Sequence, residues 1–126
     1  MNPSDTLDIN ALMARYHDGL YHCDTALLRS VFHEKLSYAN ANPDQHEFLG
    51  LEAYLRRIEE RTSPASRNEA RTASIEKIEL IGREMGVVES RAIMWGRSYT
   101  DLLTIIRTDE GWWILNKVFT YFELED

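Results

Sequence analysis

Two runs near the C-terminus decide the fold: Tyr99-Thr100-Asp101-Leu102-Leu103-Thr104-Ile105-Ile106-Arg107, and Trp112-Trp113-Ile114-Leu115-Asn116-Lys117-Val118-Phe119-Thr120-Tyr121-Phe122, separated by the turn Asp109-Glu110-Gly111. Both are rich in β-branched and aromatic residues, so each reads as a strand, and the short connection requires antiparallel pairing. Pairing across the turn puts Tyr99, Asp101, Leu103 and Ile105 on one face with Trp112, Ile114, Asn116 and Val118. The other face carries Leu102, Thr104 and Ile106 with Trp113, Leu115, Lys117 and Phe119. Both faces are apolar.

Upstream, the same period continues through Ala73, Ile75 and residues 78–81, then residues 87–95, with turns at Gly82 to Gly86 and Gly96-Arg97-Ser98. The C-terminal half is thus expected to be a four-stranded antiparallel meander.

The N-terminal half follows a helical period. Leu7, Ile9, Leu12, Met13, Tyr16 and Leu20 draw one apolar stripe, with Ser4 or Asp5 as the expected cap. Asp24 caps a second, short helix that presents Leu27, Leu28, Val31 and Phe32 and ends near His33. A brief strand over 36–39, a turn at Asn40-Ala41-Asn42-Pro43-Asp44 and a short strand or loop return at His46-Glu47-Phe48 lead to Gly50. A third helix then carries Leu51, Tyr54, Leu55 and Ile58 and stops at Thr62-Ser63-Pro64, where proline removes an amide hydrogen. The polar stretch 63–71 reads as a surface loop.

Helices first and sheet afterwards define an α+β class, with three N-terminal helices on a strongly curved, mainly antiparallel sheet. At 126 residues the chain fits a single domain spanning 1–126. Three helices cover only one apolar sheet face, so the outer face predicts a homodimer formed sheet to sheet.

Composition limits the partners. Fourteen Lys and Arg against twenty-one Asp and Glu give a formal charge of −7, which argues against nucleic acid and anionic membrane. One cysteine, Cys23, forms no internal disulfide, and the first residues lack a basic stretch followed by an apolar run; a cytoplasmic protein is expected. No apolar run approaches the roughly 20 residues that cross a bilayer.

Familiar motifs for phosphate, dinucleotide, nucleophile elbow and paired-cysteine metal sites are absent. His17 and His22 are five apart and diverge by about 140° on a helix, so no metal and no cofactor are expected. Cys23 reads as a quiet, half-buried thiol. Arg56, Arg57, Arg61, Arg67 and Arg71 are interleaved with Glu52, Glu59, Glu60 and Glu69 and read as a solvated face.

The element order, the strings over 99–104 and 111–119, and the segments Tyr21-His22, Leu27-Leu28 and Phe32-His33 resemble the nuclear transport factor 2-like superfamily over residues 7–122. The nearest branch is the small bacterial one labelled lumazine-binding, with polyketide cyclase-like relatives beside it. The resemblance implies a cone: a bent sheet wrapped around the first helix, with a pocket at the open end. Related folds include ketosteroid isomerases, scytalone dehydratase, polyketide cyclases and limonene epoxide hydrolase as well as members that only bind, so the fold leaves the function open.

Within that cone Asp101 is the inner carboxylate, a candidate base in apolar surroundings, or else a cap on backbone amides at the strand's end. His33 is the second candidate for proton transfer, or else a favourable charge at the end of the second helix. Tyr16, Tyr38, Tyr54 and Tyr99 are candidate ligand-binding hydroxyls, and Trp112 or its neighbour Trp113 a wall. Asn116 and Thr120 are candidate polar pocket residues. The expected function is a pocket for a small apolar or aromatic molecule. The alternative is an isomerase, dehydratase or cyclase in which Asp101 or His33 moves a proton while Tyr16 or Tyr38 steadies an enolate-like oxygen.

Overall fold

The computed structural model describes residues 2–125. Helix α1 (Pro3–His22) is capped by Asn2, two residues before Ser4, the earlier of the two expected caps: its Oδ1 accepts from the Ser4 N–H at 2.8 Å, and Pro3 sits where a missing N–H costs nothing. The helix ends where Cys23 turns left-handed. A β-carbon on Gly19 would lie 2.5 Å from Leu28 Cδ2, so only glycine lets helix α2 (Thr25–Arg29) cross this closely. Asp24 caps α2 by accepting from the Leu27 N–H at 3.0 Å, as its side chain predicts.

Strand β1 (Phe32–Asn40) begins earlier than the sequence suggests, and His33 lies in it rather than at a helix end. Its Nδ1 accepts from the Lys35 N–H at 3.0 Å. Then come β2 (Glu47–Gly50), helix α3 (Leu51–Glu59), a single 3₁₀ turn (Ala65–Arg67), and β3 (Ser74–Ile81), β4 (Met85–Met94), β5 (Arg97–Thr108) and β6 (Gly111–Glu123). One open six-stranded sheet runs β2-β1-β6-β5-β4-β3. The expected meander is β3 to β6; the β1–β2 hairpin joins it through a parallel β1–β6 pairing, which makes the sheet mixed. The three helices pack on its concave side. Ile9, Leu12, Met13 and Tyr16 of α1 share one buried cluster with Leu28, Phe32, Leu103, Ile105 and Ile114.

One irregularity governs what faces inward. Opposite β5, Ile105 pairs with Ile114 but the preceding Thr104 pairs with Asn116, so Leu115 is an extra residue, a β-bulge. Before the bulge Trp112 and Ile114 point inward; after it, Lys117 and Phe119 do. The regular alternation expected from the sequence is therefore overturned beyond Leu115: Asn116 and Val118 share the outer side with Thr104 and Leu102, not the inner side with Asp101. That outer side keeps the expected apolar character. Register lines up Phe48, Ala39, Val118 and Leu102 across four strands, and Phe48 and Leu102 are 78% and 48% exposed.

Candidate functional site

The bulge brings a lysine to an inner face that already holds a carboxylate. Lys117 on β6 and Asp101 on β5 are both buried, with Nζ and Oδ2 3.9 Å apart. Tyr16, fully buried on α1, donates its hydroxyl to Asp101 Oδ2 at 2.5 Å, and Lys117 donates to the Tyr54 hydroxyl on α3 at 2.9 Å. The ammonium also lies 5.2 Å from the centroids of both tyrosine rings and 5.4 Å from that of Phe119. Two helices and two strands thus contribute one residue each to a four-membered network, Tyr16–Asp101–Lys117–Tyr54.

Its protonation follows from its surroundings. Burial, reinforced by the Asp101 charge, pushes the Tyr16 phenol well above its ordinary pKa, so it stays a donor. Burial alone would lower that of Lys117, but Asp101 and the flanking tyrosine oxygens outweigh it and hold the ammonium above its usual range. Asp101 Oδ1 is buried with no hydrogen-bond donor reaching it among the described residues. A buried oxygen of that kind calls for a donor from elsewhere.

Asp101, Lys117 and Tyr54 line a cavity of about 430 Å³ at the open end of the cone. Its walls are aromatic: Tyr38 packs on Tyr54 and Phe119 with centroids 4.5 and 5.0 Å apart, and Tyr99 packs on Phe119 and Tyr121 at 6.0 and 5.3 Å. Burial raises the Tyr38 pKa, which keeps that phenol protonated. Arg57, Arg61 and Arg97 also line it, as do Trp95, Glu47 and His46. An acceptor, a cation and neutral hydroxyls on aromatic walls suit a planar molecule with both donor and acceptor atoms on its edge.

A family model described as "Putative lumazine-binding" matches residues 4–120. The chain belongs to that family. The family's fold recurs in solved structures. A nuclear transport factor 2-like protein of unknown function from Shewanella baltica is similar with a TM-score of 0.85 at 14% identity, covering 97% of each chain. One from Silicibacter pomeroyi gives 0.80 at 18%, covering 97% of this chain and 100% of its own. A ketosteroid isomerase-like protein from Erwinia carotovora atroseptica gives 0.75 at 9%, with 97% and 99% covered. These confirm the α+β cone expected from the resemblance. No curated protein matches.

In this family member the candidates separate. Tyr38, Tyr54, Tyr99 and Asp101 line the cavity, and Tyr16 stands directly behind Asp101. Asp101 is not a backbone cap at a strand end: it lies within β5 and is held by a side chain. The other four are elsewhere. Asn116, turned outward by the bulge, donates to Ser37 Oγ at 2.7 Å, and exposed Thr120 donates to Asn42 Oδ1 at 2.5 Å. Trp112 is buried at the narrow end beneath the Arg107 guanidinium, 4.7 Å from its centroid. His33 lies on the opposite side of β1, its ring 6.3 Å from Trp113, in a separate groove.

Sequence reasoning missed Lys117, which regular alternation sends outward. The available signal was a lone charge inside an otherwise apolar run, 112–119. It also read Arg57 and Arg61 as part of a solvated face, whereas both line the cavity.

Proposed function

We propose that the protein binds a small aromatic molecule in the open-end cavity, through a ligand N–H or O–H donated to Asp101 Oδ1. The observation that supports this is the unpartnered buried carboxylate oxygen at the base of an aromatic-walled space. Lumazine is the first probe: its planar ring carries N–H donors beside carbonyl acceptors, matching the Asp101 carboxylate and the Lys117 ammonium. Titration followed by tryptophan fluorescence should show saturable binding that Asp101→Leu abolishes. Binding of lumazine, riboflavin and every co-purifying molecule unchanged in Asp101→Leu would remove the reading.

A second reading, proton transfer, is favoured by the same oxygen. Asp101 is the base, oriented by Tyr16, and Lys117 steadies the negative charge that develops on the substrate. Tyr16 cannot fill that last role while its hydroxyl donates to Asp101 Oδ2. His33 takes no part, because it faces away from the cavity. Solvent deuterium exchange into a bound carbonyl compound, lost in Asp101→Asn, tests it.

The outer sheet face is proposed as the contact with a second copy of this chain. The apolar row is flanked by both signs of charge, with the Glu89 and Arg91 carboxylate and guanidinium 3.8 Å apart, so a two-fold contact pairs like surfaces favourably. Light scattering should give twice the chain mass, and Leu102→Lys should halve it. The cytoplasm is the proposed compartment, supported by the unpaired thiol of Cys23.

A further inference from the structure

The cavity's charge runs against that of the chain. Overall, acidic residues outnumber Lys and Arg by twenty-one to fourteen, yet the cavity lining holds four cationic side chains, Arg57, Arg61, Arg97 and Lys117, and two anionic ones, Glu47 and Asp101. Most of these cations are already matched. Arg57 forms a two-pronged pair with Glu47, Arg97 donates to Glu123 at 3.0 Å, and Lys117 faces Asp101. Arg61 is not: among the described residues no carboxylate lies within 4.0 Å of it.

Instead its guanidinium is stacked on the Trp95 indole, 4.6 Å from the centroid. Such stacking fixes the plane of the group and leaves its N–H edge free for a planar anion. The platform is built at a cost. Trp95 has φ 54°, a left-handed conformation uncommon for a bulky side chain, in the tight β4–β5 turn with Gly96. Three contacts besides the stack hold it there. Its indole N–H donates to the Thr62 carbonyl at 2.8 Å, its backbone N–H to Glu69 Oε1 at 3.0 Å, and its ring meets Tyr99 edge-on at 6.2 Å. Strain maintained by several contacts at a cavity wall is characteristic of a binding site.

We infer that the ligand is an anion, an aromatic carboxylate whose carboxyl group is bound by Arg61 on its Trp95 platform while its far end reaches Asp101. This rests on the pocket reading above and adds the charge of the ligand to it. A neutral ring would satisfy Asp101 but leave the Arg61 edge unused. A dianion would gain nothing further, because the remaining cations already have carboxylate partners.

Calorimetric titration of matched acid and ester pairs tests it: 4-hydroxycinnamate and its methyl ester, and 6-hydroxy-2-naphthoate and its methyl ester. Each acid should bind about tenfold more tightly than its ester, as a charged hydrogen bond predicts, and only the acid should weaken as salt is raised. Arg61→Gln should bring the acid down to the ester's affinity and leave the ester unchanged. Arg83→Gln, which removes the same charge from the exposed β3–β4 turn outside the cavity, should leave the ratio as it is, and melting curves should show both variants folded. Equal binding of acid and ester by the parent protein, or an undiminished ratio in Arg61→Gln, overturns the anionic ligand but leaves the pocket standing. Failure of all four compounds to bind at millimolar concentration overturns the pocket and the anion together.

Discussion

The two ends of the concave face are made by the same strands and the same first helix, yet they solve opposite problems. At the narrow end Leu12, Ile105 and Ile114 are fully buried with only apolar neighbours to satisfy. At the open end, on the other side of the Leu115 bulge, the buried positions hold Asp101 and Lys117. Burying two charges costs several kcal/mol that their mutual attraction regains only in part, and apolar residues of similar shape would serve the fold as well or better. A pair carried where packing does not ask for it, with one oxygen that no donor reaches among the described residues, is the feature on which the proposed pocket rests. In the proposed reading, cavity and bulge together put binding on half of one sheet face.

Double substitution breaks the comparison most sharply. Asp101→Ala should cost about 3–5 kcal/mol, because Lys117 is left buried without its counter-charge. Ile105→Ala should cost about 2–5 kcal/mol through the cavity it leaves. The two losses look alike in a melting curve, at roughly 3–5 °C per kcal/mol for a chain of this size. They differ in rescue. Asp101→Leu combined with Lys117→Met should return most of the stability while binding is lost, and no second apolar change should restore Ile105→Ala so simply. A double variant as unstable as Asp101→Ala alone would show that the pair is structural.

Alkaline pH gives a second, smaller separation. The Lys117 and Tyr16 pKa values are both raised in the folded chain, so each contributes stability that is complete below its unfolded pKa, about 10.4 and 10, and is lost as pH rises beyond it. Chemical denaturation from pH 8 to 11 should therefore show a fall above pH ~10 that is shallower in the Asp101→Leu, Lys117→Met variant. Ile105→Ala should keep the parent's slope, being merely lower throughout. Parallel curves for all three would mean that the network does not set the alkaline limit.

Much of this was legible in residue spacing. The apolar stripe from Ile9 to Leu20, the Asp24 cap, the stop before Pro64 and the meander turns are local signals, and local chemistry decides them. Facing along β6 is not local. Nothing within 111–123 announces that Leu115 is an extra residue; the bulge emerges from matching two long strands around α1, and with it Lys117 and Asn116 exchange sides. The cavity mouth was hidden for a similar reason. Arg57 and Arg61 have the spacing of a solvated helix face, and only the long-range approach of the β4–β5 turn, carrying Trp95, makes them a lining. Asp101 and the tyrosines were found because a carboxylate or hydroxyl within an apolar strand or stripe is informative whatever the register.

The smallest effect concerns His17, which borders the network from α1 with its ring 5.3 Å from that of Tyr16. Burial lowers its pKa, the nearby Lys117 and Arg71 charges add to that, and Asp101 and Asp18 oppose it in part. A base whose folded pKa is depressed contributes stability above its unfolded pKa of about 6.5 that drains away as pH falls toward the folded value. His17→Gln should therefore flatten the decline in stability between pH 7 and 5 while changing little at pH 8. The same substitution distinguishes the two ends once more, because His17 borders the open-end network whereas Ile105 and Ile114 are apolar. An acid slope that is the same in His17→Gln and the parent would mean that the imidazole binds its proton equally well in the folded and unfolded chains, and that its burial beside Tyr16 does not set the acid limit.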